Sequence, residues 1–255
     1  MQQREHGEPP RNIVLLHGGP GAAGEVEPVA RRLASTGHGV LEPFQTARSV
    51  TGQIAELRET ITRSCTAPVT LIGWSWGAWL AMMAAAEHPD LVAHLVMVGS
   101  GPLDPADGAA TRLNRAARLS PADQSELASL EDNLDDPDNV ARMIAIYDRI
   151  DNFALDQSPP TPVQYDGDIA EAVWTEAAAL RQSGALLDHL ARVLCPITAI
   201  HGDHDPHPAE GVRAPLARFQ PQAEFILLSR CGHKPWRESY ACHAFYAALT
   251  RIFQT

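Results

Sequence analysis

The stretch Val69-Thr70-Leu71-Ile72-Gly73-Trp74-Ser75-Trp76-Gly77, running into the alanine-rich segment Ala78 to Ala86, governs the reading of this chain. Its apolar start has the character of a buried strand, its alanine-rich end that of a helix, and Gly-x-Ser-x-Gly joins the two. So tight a turn would drive side chains two positions either side of the serine into neighbouring backbone, so glycine stands at both ends. The serine is left at the mouth of a helix whose first amides favour developing negative charge. Ser75 is therefore expected to be a nucleophile.

The alternation extends in both directions. Asn12 to Leu16, Gly39 to Leu41, Val69 to Trp74 and His94 to Val98 read as strands. Helices are expected between them at Glu25–Ala34, Val50–Ile61 and from the serine turn to about His88. From about Leu103 to Leu194 the pattern is helical and broken by Pro137, Pro159, Pro160 and Pro162, with helices expected at Val140–Ile150 and Ile169–Arg181. Strands resume at Pro196–Ile200 and Ala223–Leu228, separated by a helix at Val212–Arg218 and followed by a closing helix, Trp236–Phe253. Strand alternating with helix predicts an α/β fold, a mostly parallel sheet of about six strands covered on both faces. Residues 1–102 and 195–255 are expected to form its core. Residues 103–194 are expected to form a helical cap leaving the C-terminal edge of the fourth strand, where open sheets bind ligands.

With 45% hydrophobic and 20% charged residues, a 255-residue chain is expected to build one core and a lid. No apolar run approaches the ~20 residues of a membrane span. Met1 to Glu8 lacks the apolar centre of a signal peptide, so a cytoplasmic location is expected. A net charge of −11 argues against nucleic acid as a partner. The acidity is concentrated: residues 121–176 hold fourteen Asp or Glu against Arg142 and Arg149. Such a block either draws a cationic substrate group or simply solvates a lid. Cys65, Cys195, Cys231 and Cys242 are scattered, without a Cys-x-x-Cys pair, and read as free thiols. Nineteen arginines beside the single Lys234, with much alanine, suggest a GC-rich bacterial genome.

A serine nucleophile needs a base, and the base an acid that fixes its tautomer. Gly202-Asp203-His204-Asp205-Pro206 follows the fifth strand and Ser229-Arg230-Cys231-Gly232-His233 the sixth, both at the sheet edge that carries Ser75. His233 is the expected base and Asp205 the expected acid, with Asp203 and then Asp104 as substitutes. The amides of Trp76 and Gly19 are expected to form an oxyanion hole, Gly19 from the loop His17-Gly18-Gly19-Pro20-Gly21, which His17 would anchor. Gly18, Trp74, Phe44, Met143, Tyr147, Phe153 and Trp174 are candidate pocket residues, and Trp79 a core residue. His201, Asp203, His204, Asp205 and His207 crowd into seven residues but match no zinc spacing, so neither metal nor cofactor is expected.

The two glycine motifs, His17-Gly18-Gly19-Pro20-Gly21 and Gly73-Trp74-Ser75-Trp76-Gly77, resemble the proline iminopeptidase-like branch of the α/β-hydrolase superfamily, and the resemblance spans nearly the whole chain. It implies an α/β-hydrolase fold with a helical cap, and an acyl-enzyme on Ser75 with His233 as general base and acid and Asp205 as orienting acid. Glu42-Pro43-Phe44-Gln45 stands where those peptidases carry Asp-Gln-Arg-Gly. Only a dozen residues precede the first strand, so the two antiparallel strands that usually open the fold are expected to be missing. Asp205-Pro206-His207-Pro208 and Gly232-His233-Lys234-Pro235-Trp236 are similar to a set of compact bacterial hydrolases. The expected activity is hydrolysis of a small-molecule carboxylic ester or thioester by a monomer or homodimer that spans no membrane. An aminopeptidase holding its substrate ammonium on the acidic lid is the alternative, and a non-catalytic ligand receptor on the same fold is the alternative of another class.

Overall fold

The computed structural model describes residues 2–131 and 133–254. Strands β1 (Gln3–His6), β2 (Arg11–Leu16), β4 (Gly39–Pro43), β5 (Val69–Trp74), β6 (Val92–Val98), β8 (Ile197–Gly202) and β9 (Glu224–Leu228) form one sheet in the order β1-β4-β2-β5-β6-β8-β9. Two short strands, β3 (Ala22–Ala23) and β7 (Gln164–Tyr165), pair separately. Every main-sheet pairing is parallel except β1 with β4.

The sheet has seven strands where six were expected, and the strand count is corrected by β1: one antiparallel strand does precede the first parallel one. Its sequence, Gln3-Arg4-Glu5-His6, has no apolar residue to bury, so hydropathy gives no sign of it. It is an edge strand held by backbone pairing and by charge: Arg4 meets Glu27, and His6 meets the buried Glu42 at 3.1 Å. Charged edge strands also resist pairing with other chains.

Alternate residues of the central strands feed two cores. Val14 and Leu16 face helices α2 (Val50–Ser64), α3 (Trp76–Glu87), α8 (Ala185–Arg192) and α9 (Glu210–Phe219). Ile13 and Leu15 face α1 (Glu27–Ala34) and α10 (Cys242–Ile252). Helix α3 is apolar all round because it is buried all round, from Trp76 to Ala85. The closing helix starts later than expected. Pro235–Arg237 forms a separate 3-10 turn, because the chain there is tied inward by the buried Glu238.

Between β6 and β8 run α4 (Ala110–Arg118), α5 (Pro121–Glu131), α6 (Pro137–Asp151) and α7 (Gly167–Gln182), then α8. The acidic residues of this stretch are placed rather than merely solvated. Asp136 and Asp166 cap helix N-termini, and Asp123, Glu126 and Asp156 pair with Arg149, Arg142 and Arg237. Leu127, Leu130 and Ile146 form a small core of their own, while Leu186 and Leu190 of α8 pack with α3 in the sheet-covering layer. Among the described residues no helix is long and apolar enough to cross a membrane.

Candidate active site

Register brings the strand ends to one edge: Leu16 opposes Gly73, Trp74 opposes Val98, and Gly202 opposes Leu228. Ser75 follows β5 with φ 55° and ψ −118°, a backbone conformation that costs a residue with a side chain on the order of 1–3 kcal/mol. The Ser75 N–H donates to the Val98 carbonyl at 2.9 Å, which pins the turn. A Cβ on Gly73 would fall on the Gly77 carbonyl, and one on Gly77 would stand 2.5 Å from the His17 carbonyl oxygen. The flanking glycines are therefore steric necessities.

The loop after β9 carries His233 and the loop after β8 carries Asp205. His233 Nδ1 lies 2.8 Å from Asp205 Oδ2. A carboxylate oxygen only accepts, so Nδ1–H donates to it and Nε2 is the ring nitrogen the carboxylate leaves unengaged. Asp203 is turned away and accepts from the Cys231 N–H at 3.1 Å, bracing the loop. Asp104 caps the 3-10 turn Pro105–Asp107 through the Ala106 N–H. Ser75 and His233 line one cavity of about 530 Å³ together with Gly19 and Trp76. Among the described residues the Ser75 hydroxyl makes no hydrogen bond.

Asp205 serves a second imidazole. Its Oδ1 accepts from the backbone N–H of His207 at 2.9 Å and from His207 Nδ1 at 2.8 Å, and the His207 ring lies 4.6 Å from that of His233, centroid to centroid. Burial opposes the Asp205 charge, but the two imidazoles and the bonds they donate hold its carboxyl well below the usual range. Burial pulls His207 down to about 4 against the pull of Asp205, so it is neutral at pH 7. Asp205, His207 and His233 are also the cluster whose ligand atoms lie within 4.8 Å of one another, the geometry of a small cation site. Here each carboxylate oxygen is already satisfied by an imidazole N–H.

His17 holds the glycine loop. Its Nδ1–H donates to the Gly18 carbonyl at 2.8 Å and its Nε2 accepts from the Gln45 N–H at 3.3 Å, which requires the neutral ring. Burial drives its pKa to about 4 in the same sense. The indole N–H of Trp76 is shared between Gln45 Oε1 and Gln53 Oε1, tying the serine turn to the same loop.

Of the candidate pocket residues, Trp74, Tyr147 and Trp174 line the cavity. Gly18 lies beneath it, where a Cβ would stand 2.6 Å from the Trp74 ring. Phe44 is buried edge-on to His17 and under Arg4. Met143 packs in the small core of α5 and α6, and Phe153 lies outside against His204 and Tyr240. Trp79, expected as core, is buried and also borders the cavity, donating to the Gly101 carbonyl at 3.0 Å. Trp74 does more than line: its indole N–H donates to the His233 carbonyl at 2.8 Å.

Sequence reasoning missed the ionic groups around the cavity. Lys234 bridges Glu25 and Asp148, and Arg115 grips Asp151 at 3.0 Å through Nε. It also missed Glu238, whose carboxylate accepts from the N–H groups of Phe153 (2.7 Å), Ala154 (2.7 Å) and Gly232 (2.6 Å). These contacts, with His233 N–H donating to the Asp151 carbonyl at 3.0 Å, fasten the histidine loop to the end of α6. The sequence signal that was available is the crowding of His and Asp at 201–207.

Solved structures share this architecture at low identity. The chain is similar to VinJ (TM-score 0.70, 20% identity, 99% of this chain and 94% of that one). It is similar to proline iminopeptidase from Mycobacterium smegmatis (0.66, 18%, 99% and 93%) and to the thioesterase domain from the curacin biosynthetic pathway (0.61, 20%, 97% and 94%). No protein of curated function matches the sequence. Residues 13–248, from the first parallel strand almost to the end of the closing helix, match the model of the alpha/beta hydrolase family, and this chain belongs to that family.

Proposed function

We propose that the chain hydrolyses a small-molecule carboxylic ester or thioester through an acyl-enzyme on Ser75. The observation that carries this reading is the bond from His233 Nδ1 to Asp205 Oδ2 at 2.8 Å, in a cavity that Ser75 also lines. Ser75 Oγ attacks the substrate carbonyl and its proton passes to His233 Nε2. Asp205 stabilises the imidazolium, and the amides of Trp76 and Gly19 receive the oxyanion. Collapse expels the alcohol or thiol, which takes the proton back from His233. Water, deprotonated by the same nitrogen, then releases the acid and frees Ser75. Helices α4 to α6 act as the lid over this cavity.

An aminopeptidase would need a carboxylate free to hold the substrate ammonium. The carboxylates at the cavity, Glu25, Asp148 and Asp151, are committed to Lys234 and Arg115, which favours the ester reading. Intact mass after treatment with a fluorophosphonate should show one adduct on the wild type and none on Ser75→Ala. A panel of nitrophenyl esters, acyl thioesters and aminoacyl anilides then ranks the substrates. Faster turnover of proline or alanine anilides than of short esters would overturn the ester assignment.

A further inference from the structure

We infer that the cavity takes a substrate with an anionic group, a carboxylate or phosphate, on the arm distal to the scissile carbonyl, held by Arg112 and Arg181 with the Thr111 hydroxyl. The inference rests on the ester or thioester reading above and names the substrate class of the same site. All three residues line the cavity that contains Ser75. Thr111 and Arg112 come from α4 and Arg181 from α7, so they face the site from two different elements.

Their distinguishing feature is that their polar groups have no protein partner among the described residues. Arg115 is paired with Asp151 and Lys234 with Glu25 and Asp148, whereas Arg112 and Arg181 make no ion pair or hydrogen bond through their guanidinium groups among the described residues. Arg181 lies over the Trp79 ring, 5.5 Å from its centroid, and Gly108 approaches close enough that a Cβ there would stand 3.2 Å from Arg181 Nε. Burial lowers the Arg181 pKa with no carboxylate to oppose it, yet a guanidinium remains charged at neutral pH. The Thr111 Oγ is buried and has no hydrogen-bond partner among the described residues. A partly desolvated cation and an orphaned buried hydroxyl are costly unless a ligand completes them. A planar guanidinium fork meets a carboxylate or phosphate with two parallel bonds.

The position suits the distal arm rather than the reacting centre. Trp79 lies one helical turn beyond Ser75 on α3, so the guanidinium over its ring is on the order of 10 Å from the serine. The cavity carboxylates Glu25, Asp148 and Asp151 each have an ion-pair partner in Lys234 or Arg115, which leaves Arg112 and Arg181 as the lining cations without a carboxylate partner among the described residues.

The test compares the 4-nitrophenyl half-ester of adipic acid with 4-nitrophenyl hexanoate, which matches it in chain length but is neutral. The wild type should favour the half-ester in kcat/KM by about 10-fold or more, and Arg112→Gln/Arg181→Gln should lower that ratio about 10- to 100-fold. A wild-type ratio near one, or a ratio unmoved in the double variant, overturns the inference. A binding measurement avoids any arginine variant: on Ser75→Ala, calorimetry should show monomethyl adipate or hexyl phosphate binding more tightly than methyl hexanoate, with affinity falling as salt rises. The tighter of the two anions identifies carboxylate or phosphate, and equal affinity for all three compounds overturns the anion site. If neither ester is turned over, the hydrolase reading fails, and the calorimetry still decides the anion site separately.

Discussion

Glu238 offers the sharpest test of how the histidine loop is held. Its carboxylate is fully buried and accepts three backbone N–H groups, two from Phe153 and Ala154 just after α6 and one from Gly232. Replacing it by alanine leaves three donors without an acceptor, each costing about 1–3 kcal/mol. Water entering the space the side chain vacates can rehydrate part of these donors, so the sum is expected at about 4 kcal/mol, a large share of the ~5–15 kcal/mol that holds a domain folded. For a chain of this length that corresponds to a drop of roughly 8–16 °C in Tm. Glu238→Gln keeps one acceptor oxygen but turns an amide toward a donor, and should cost about half as much. Urea unfolding read by tryptophan fluorescence measures both, and Ser75 labelling by a fluorophosphonate, in the fully folded range, reports whether the loop still presents His233. A Glu238→Ala protein within about 1 kcal/mol of wild type, with unchanged m, would refute the idea that this carboxylate staples the end of α6 to the histidine loop.

His17 and His207 are buried with pKa values of about 4, so the unfolded chain takes up protons below about pH 6.5 that the folded chain refuses. Their stabilisation is complete above that pH and is lost as pH falls toward 4, at about 2 kcal/mol per histidine by pH 5. Urea midpoints that stay flat from pH 7.5 to 5 would contradict two neutral buried rings, and His207→Gln should remove about half of the slope. Because Ser75 holds φ at 55°, Ser75→Gly should be about 1 kcal/mol more stable than Ser75→Ala; equal thermal midpoints would deny the strain. Lys234→Met strands Glu25 and Asp148 together in a largely buried site and should cost about 3–5 kcal/mol at pH 8. Removing the stranded charges as well, with Glu25→Gln and Asp148→Asn, should recover most of the loss, and a triple variant as unstable as Lys234→Met would show that packing on Trp74 is the cause.

Most of the fold was legible because its parallel strands are buried on both faces and so stand out as apolar runs, such as Val14-Leu15-Leu16 and Leu71-Ile72. What escaped was structure stabilised by something other than apolar burial. Strand β1 depends on backbone pairing to β4 and on Arg4, His6 and Glu42. The break before α10 depends on Glu238 reaching back to residues distant in sequence, while the local pattern Trp236 to Phe253 reads as one helix. Helix α8 follows α7 without a strand to mark the change, yet Leu186 and Leu190 place it with α3.

The candidate site divides in the same way. That Ser75, His233 and Asp205 lie at one edge of the sheet was readable because strand-end loops and glycine spacing are local features. Which of Asp205 and Asp203 meets His233 was not a local matter: Asp205 faces the ring and Asp203 braces the loop after β9. The crowding at 201–207, legible as a candidate metal cluster, is in space one carboxylate shared by two imidazoles, with His201 donating to the His207 carbonyl at 2.9 Å to hold the second ring. The ionic wall was invisible because its partners are 86 and 209 residues from Lys234. That wall also changes what the acidic block means. In a chain of net charge −11, each carboxylate that lines the cavity has a cation partner, Lys234 bridging two of them, and the lining groups left without an ion pair among the described residues are Arg112 and Arg181. Net charge describes the surface a substrate approaches, while its selection depends on which cavity charges lack a partner, and here these are guanidinium groups.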